Sequence, residues 1–143
     1  MKRAAPNIPC HCSALRRAAR IVTELYDRDL ASAGLTLPQF SLLRRLERAG
    51  PSSLTRLAEV VHLERTTLGR NLRPLEDAGL VESRASEADA RVRVIALSEL
   101  GKATLARAMP MWRRAQQRLE GGLGADRVAL LRGLLADLDT LRS

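Results

Sequence analysis

Apolar residues recur every three or four positions along most of the chain, a spacing that predicts amphipathic helices. The first run begins at Cys12 and ends at Gly34, a residue type that often terminates helices. The second begins after Thr36, which can cap the helix while Gln39, three residues later, reaches back to it. Gly50 ends this helix. The N-terminal third of the chain is therefore predicted to form two helices.

The next section has the pattern of a helix-turn-helix. A short amphipathic run over residues 54–61 is followed by three residues, 62–64, and a second run over 65–72. The two predicted helices share a small apolar core, which consists of Leu57, Val61, Leu63, Leu68 and Leu72. A tight connection of this length is typical of the motif.

After the second of these helices the hydrophobic period changes from about 3.6 to two. Residues 81–84 and 92–97 alternate as two short antiparallel strands do, and the polar stretch between them predicts an exposed wing. Ser98 then caps a long helix over about 99–120, Gly121–Gly124 is predicted to be a loop, and a last leucine-rich helix follows. The predicted fold is mainly α with a small β-wing, a winged helix-turn-helix.

Polar side chains cover the face of the second short helix that points away from its core. This face carries Arg65, Thr66, Thr67, Arg70, Asn71 and Arg73. Arginine, threonine and asparagine are side chains that contact DNA phosphates and base edges. The pattern therefore predicts a surface that binds double-stranded DNA. A winged-helix module that recognises protein is the alternative of another class.

The charge balance agrees with a DNA partner. The chain has 24 basic and 16 acidic residues and a formal net charge of +8, which favours the capture of polyanions. We expect a cytoplasmic protein with no membrane partner, because no apolar run is long enough to span a bilayer. The only histidines, His11 and His62, lie outside any acid–base constellation, so we expect neither an enzyme, a metal site nor a cofactor.

The length predicts one domain over residues 1–143. Within it, a winged core spans about 36–98, and helices at about 12–33 and 99–142 have apolar faces that the core cannot cover. Pairing two copies would bury those faces, so we expect a homodimer that binds a pseudo-palindromic site. Residues 1–9 contain two prolines and no periodicity, and they are predicted to form an arm.

The order of these elements resembles the MarR family of bacterial transcriptional regulators over about residues 12–142. The matching segments are Leu57-Ala58, Arg65–Leu68, Leu75–Val81, Asp89–Arg91 and Leu97–Gly101. The resemblance implies a dimeric, sequence-specific regulator that represses transcription and is released from its operator by a chemical signal.

The resemblance also implies roles for single residues. Arg91 would enter the minor groove, held in place by Asp89. The implied major-groove contacts are Thr66, Thr67 and Arg70, with Arg65 and Asn71 near them. The implied phosphate contacts are Ser53, Arg73 and Arg84. Gly69 departs from the family pattern, which has a small hydroxyl residue there.

A cysteine at the start of the first helix resembles the organic-peroxide-sensing branch of the family. A helix N-terminus favours thiolate, so Cys12 is the candidate for oxidation to a sulfenic acid. A small thiol or Cys10 would then resolve it. That branch surrounds its cysteine with tyrosines, and Tyr26 is at one of these positions, although Arg16 and Leu37 occupy the other two.

The sequence is also compatible with two other kinds of inducer. Cys10 and Cys12 could hold a metalloid or soft metal together with His11 or a cysteine of a second subunit. Alternatively, both cysteines are inert and an organic ligand binds between the dimerisation helices and the winged core. Arginines near Arg16, Arg17 and Arg20 would then meet a carboxylate of the ligand.

Overall fold

The computed structural model describes residues 9–142 and is mainly helical. The predicted arm, apart from Pro9, lies outside the described residues. The elements in chain order are α1 (His11–Leu30), α2 (Leu37–Ala49), β1 (Ser52–Ser53), α3 (Leu54–Val61), α4 (Arg65–Asp77), β2 (Val81–Ala85), β3 (Arg93–Leu97), α5 (Glu99–Leu123) and α6 (Ala125–Asp139). Of the helices in this range, none is long and apolar enough to cross a membrane.

The sheet and the helices around it form a winged helix-turn-helix, as predicted. The three antiparallel strands lie in the order β1-β3-β2, with Val81 opposite Leu97 and Ser52 opposite Ile95. The strand β1 was not predicted, because two serines carry no hydrophobic alternation. It ties the start of α3 to the wing, so the helix-turn-helix and the wing share one sheet.

A single apolar core packs α2, α3 and α4 against the sheet and α5. Its fully buried large side chains are Leu30, Phe40, Leu43, Leu46, Leu57, Leu68, Leu72, Leu75 and Leu105. The predicted core positions Leu57, Leu68 and Leu72 are confirmed, and Val61 packs against the cluster half-buried. The prediction for Leu63 was wrong, since 38% of this residue is exposed. It lies in the turn before α4, which carries it out of the core.

Local signals at the start of α2 act as predicted. The Thr36 hydroxyl accepts a hydrogen bond from the Gln39 backbone N–H, and the Gln39 side chain accepts one from the Thr36 N–H. One turn later Phe40 stacks on Trp112 of α5, with 5.9 Å between the ring centroids. The Arg44 guanidinium lies 5.3 Å from the Trp112 centroid, a cation–π arrangement that joins α2 to α5.

The first turn of α5 packs directly on the turn between α4 and β2. Ser98 Oγ donates to the carbonyl of Gly79 at 2.5 Å and accepts from the N–H of Gly101 at 2.9 Å. A Cβ atom at Gly101 would overlap the carbonyl oxygen of Leu80. This close approach joins the turn between α4 and β2, which belongs to the candidate DNA-binding region, to the start of α5.

The C-terminal helices differ from the prediction in one respect. Helix α5 continues through Leu123, so the predicted loop at Gly121–Gly124 was wrong except for Gly124, whose φ is 86°. A glycine costs a helix only about 1 kcal/mol, too little for Gly121 and Gly122 to end a long packed helix. An ion pair of 3.0 Å between Glu120 and Arg132 connects α5 to α6.

The packing at Gly101 yields a stability prediction. We expect Gly101→Ala to lower the free energy of unfolding by about 1–3 kcal/mol, because the added methyl group must displace the Leu80 backbone. Urea denaturation measures this. The matched control is Gly121→Ala in the same helix, where an added Cβ meets nothing within 4 Å. Equal unfolding midpoints for the two variants would contradict the packing described.

Candidate nucleic-acid interface

Helix α4 is held by one apolar face and leaves the other in solvent. Leu68, Leu72 and Leu75 anchor it in the core. The turn before it depends on His62, which adopts the left-handed conformation with φ 55° and ends α3. The candidate side chains Arg65, Thr66, Arg70, Asn71 and Arg73 are all exposed, and Thr67 is half-buried. The six residues predicted on this helix therefore lie on one solvent-facing surface or at its edge.

The arginines of this surface are free of acidic partners. The ion pairs found in residues 9–142 join Asp89 to Arg91, Glu99 to Lys102, Asp29 to Arg118 and Glu120 to Arg132. Across this part of the chain, none of them involves Arg65, Arg70 or Arg73. Their guanidinium groups are thus available to bind phosphate or guanine bidentately.

The wing tip holds its arginine in a defined place. The Asp89 carboxylate accepts hydrogen bonds from the Arg91 backbone N–H at 3.0 Å, from Nε at 3.2 Å and from Nη2 at 3.3 Å. These hydrogen bonds from the Arg91 side chain and backbone lower the pKa of Asp89 below its ordinary value. The Arg91 side chain is nevertheless 91% exposed, so its outer guanidinium edge can reach a partner beyond the wing.

The other predicted phosphate contacts occupy the margins of the same region. Arg84 is exposed on β2, and Arg73 is exposed in the second half of α4. Ser53 is the N-cap of α3, where its hydroxyl accepts from the Arg56 N–H at 3.2 Å. The structure adds Arg93, whose Nε donates to Ser83 Oγ at 3.2 Å across the wing. The alternation of Arg91 and Arg93 around Val92 was the signal in the sequence that could have found it.

A cavity of about 350 Å³ adjoins α4 on the side that faces α2. Its apolar lining includes Leu42, Val61 and Leu63, and its polar lining includes Arg45, Arg70 and Asn71. Pro74 also lines it, and a proline has no N–H to donate to the Arg70 carbonyl one turn earlier. The cavity thus shares Arg70 and Asn71 with the candidate DNA-binding surface. It lies within the winged core, whereas the predicted ligand pocket lay between that core and the dimerisation helices.

The cysteines lie at the other end of the molecule. Cys10 is the N-cap of α1 and Cys12 is in its first turn; both are exposed. Hydrogen bonds from the Ser13 hydroxyl, from the Ser13 backbone and from the Cys12 backbone lower the pKa of the Cys10 thiol. Among residues 9–142, no three His, Cys, Asp or Glu side chains gather as a metal site.

Tyr26 is not near the cysteines of its own chain. It lies 14 residues beyond Cys12 on the same helix, which corresponds to about 21 Å along the axis. Its hydroxyl donates to Gln116 of α5, and burial, together with the charge of Glu120, raises the pKa of Tyr26. Within one chain it therefore joins α1 to α5 rather than surrounding a thiol.

Comparison with known proteins agrees with this geometry. The MarR family model matches residues 35–92. A crystal structure of the M. tuberculosis transcriptional regulator MosR with DNA is 37% identical, covers 94% of this chain and 100% of its own, and has a TM-score of 0.77. The chain belongs to the MarR family of DNA-binding transcriptional regulators.

Two further structures are similar to this MarR-family chain. The transcriptional repressor CouR, bound to a 23-mer DNA duplex, is 32% identical over 91% of this chain and 92% of its own, with a TM-score of 0.83. A probable transcriptional regulator from Pseudomonas aeruginosa is 28% identical over 87% of this chain and 93% of its own, with a TM-score of 0.79. The DNA-binding candidates predicted from the sequence all lie inside the segment that the MarR model matches, whereas Arg93, Cys10, Cys12 and Tyr26 lie outside it.

Proposed function

We propose that this MarR-family chain is a homodimeric repressor that binds a pseudo-palindromic operator and leaves it when a chemical signal binds or reacts. The observation that carries this proposal is the row of exposed arginines on α4, free of acidic partners in the described residues, beside a wing that presents Arg91. The relative CouR is described as a repressor, which supports the direction of regulation.

The proposed contacts divide by groove. Thr66, Thr67 and Arg70 would read base edges in the major groove, with Arg65 and Asn71 beside them. Arg91 would enter the adjacent minor groove, where a narrow groove concentrates negative potential. Arg73, Arg84 and Ser53 would bind phosphates and set the register of the helix.

The exposed leucines of α6 favour a dimer. No residue of α6 is buried in the single described chain, and Leu130, Leu134 and Leu138 are among its exposed side chains. Together with α1 this helix borders a mainly apolar groove of about 670 Å³. A second copy would cover these surfaces, and its two-fold axis would present two α4 helices to one face of the duplex.

The cavity beside α4 is our first candidate for the signal. An organic anion of suitable size could pair with Arg45 and Arg70 while its apolar part contacts Leu42 and Val61. Because Arg70 and Asn71 are also candidate DNA contacts, an occupant would compete with the operator directly. No rearrangement of the dimer is needed for this mode of release.

A thiol signal is the second candidate, and the hydrogen bonding of Cys10 favours it. A thiolate attacks a hydroperoxide oxygen, which gives a sulfenic acid on the protein and releases an alcohol. The lowered pKa of Cys10 increases its thiolate fraction at neutral pH. This lowered pKa supports Cys10, rather than Cys12, as the residue that would react first.

The operator-binding proposal makes a quantitative prediction for the wing. We expect Arg91→Ala to weaken operator binding at least tenfold and to reduce the slope of log affinity against log salt by about two, because the dimer loses one cation–DNA contact in each half-site. Fluorescence anisotropy over a salt series measures both quantities.

The matched control is Arg113→Ala, an exposed arginine in the middle of α5, which should bind as the wild type does. Unchanged affinity in a folded Arg91→Ala protein would contradict the wing assignment. If the wild type retains no duplex even at low salt, the protein-binding winged-helix module becomes the better hypothesis.

If Cys10 is the sensor, the pKa of its thiol should depend on Ser13. Ser13→Ala should raise the pKa of Cys10 toward its ordinary value, because the largest stabilising hydrogen bond to the thiolate is removed. The pH dependence of iodoacetamide alkylation, resolved by peptide mass spectrometry, reports this pKa. Under this hypothesis an organic hydroperoxide releases the wild type from its operator and leaves Cys10→Ser bound. Release of that variant at the same rate would exclude Cys10 as the sensor.

A further inference from the structure

Gly69 lies inside α4, and no packing contact requires a glycine at this position. It is the fifth residue of α4, and an added Cβ would meet nothing within 4 Å. A glycine in a helix interior is less favourable than alanine by about 1 kcal/mol. The fold therefore bears a cost at this position that no contact within the described chain compensates.

The position of Gly69 places the missing side chain on the DNA-facing surface. Residues three and four apart are neighbours on a helix, so Gly69 lies between the exposed residues Thr66, Arg65 and Arg73 on one side and the buried Leu72 on the other. An α-helix with side chains is about 10–12 Å across, and the major groove is about 12 Å wide. In so close a fit, one absent Cβ leaves a depression about the size of a methyl group.

The chemistry of this depression selects an apolar partner. In a helix interior the backbone N–H and C=O groups are already paired with residues one turn away. Gly69 therefore offers neither a donor nor an acceptor to a base. The thymine 5-methyl is the apolar group that unmodified DNA presents in the major groove. We infer that Gly69 forms a methyl-sized notch in the recognition surface of α4 that receives a thymine 5-methyl group in each operator half-site.

This inference rests on the proposed function, because it requires α4 in the major groove of an operator. Its test uses the operator selected by the full-length wild type and a set of duplexes in which each thymine in turn is replaced by deoxyuridine. Removing one buried methyl group should weaken wild-type binding about fourfold, and this should occur at one equivalent position in each half-site.

The Gly69→Ala variant should show the opposite preference at that position. Its added methyl group occupies the notch, so it should bind the thymine operator about tenfold more weakly than the wild type does. It should bind the deoxyuridine operator more tightly than the thymine operator, because the clash between the two methyl groups is removed. The same variant should unfold at a temperature a few degrees higher, since alanine favours the helix.

Gly133→Ala is the matched control. Gly133 is also a helix-interior glycine, in α6, and an added Cβ there meets nothing within 4 Å. This variant should gain thermal stability and, at unchanged oligomeric mass, keep the affinity of the wild type for both duplexes.

A reversed preference at one position supports the inference. Equal losses for the wild type and Gly69→Ala at every deoxyuridine position would overturn it and leave the regulator proposal intact. If the wild type selects no operator at all, the proposed function and this inference both fail.

Discussion

The close contact between the first turn of α5 and the backbone of Leu80 joins the winged core to the long helix. It exists because Gly101 has no side chain and because Ser98 bonds both to Gly79 and to Gly101. Through it, the turn between α4 and β2 is fixed to the first turn of α5. In the proposed homodimer this contact would connect the pairing of the long helices to α4 and the wing.

The candidate interface itself is built from side chains that the fold does not use. The arginines of α4 and the wing are exposed and contribute little to the core. In the described part of the chain, the α4 arginines form no ion pair with an acidic residue. Their mutual repulsion is a cost in the free protein that polyanion binding relieves. Arg91 is the exception, since hydrogen bonds to Asp89 orient its side chain. Such orientation reduces the side-chain entropy lost on binding.

Local signals explain how much could be predicted from the sequence. The Thr36–Gln39 capping box was predicted from spacing alone, because its residues are only three apart. The Asp89–Arg91 pair is equally local, and the family resemblance implied it. Leu63 was misplaced because the direction of a turn depends on the packing around it. The short strand β1 pairs with a strand some forty residues later, and its own sequence has no strand pattern.

The candidate site could be predicted only in part, because some of its features depend on how distant segments pack together. The exposed face of α4 follows from helical periodicity, whereas the cavity between α2 and α4 requires two elements to be placed in space. The identity of Cys10 as the helix cap depended on where α1 begins. Tyr26 shared a helix with the cysteines, yet its partner Gln116 belongs to α5. Contacts between distant segments are set by tertiary packing, which residue patterns do not specify.

In the proposed homodimer, paired copies of α4 read one duplex. Selection of bound sequences from a pool of random duplexes by the full-length protein tests this pairing. We expect an enriched pseudo-palindrome whose half-sites are centred about one duplex turn, roughly 10 base pairs, apart. Recovery of sequences without any enriched site, or of a single site without symmetry, would contradict it.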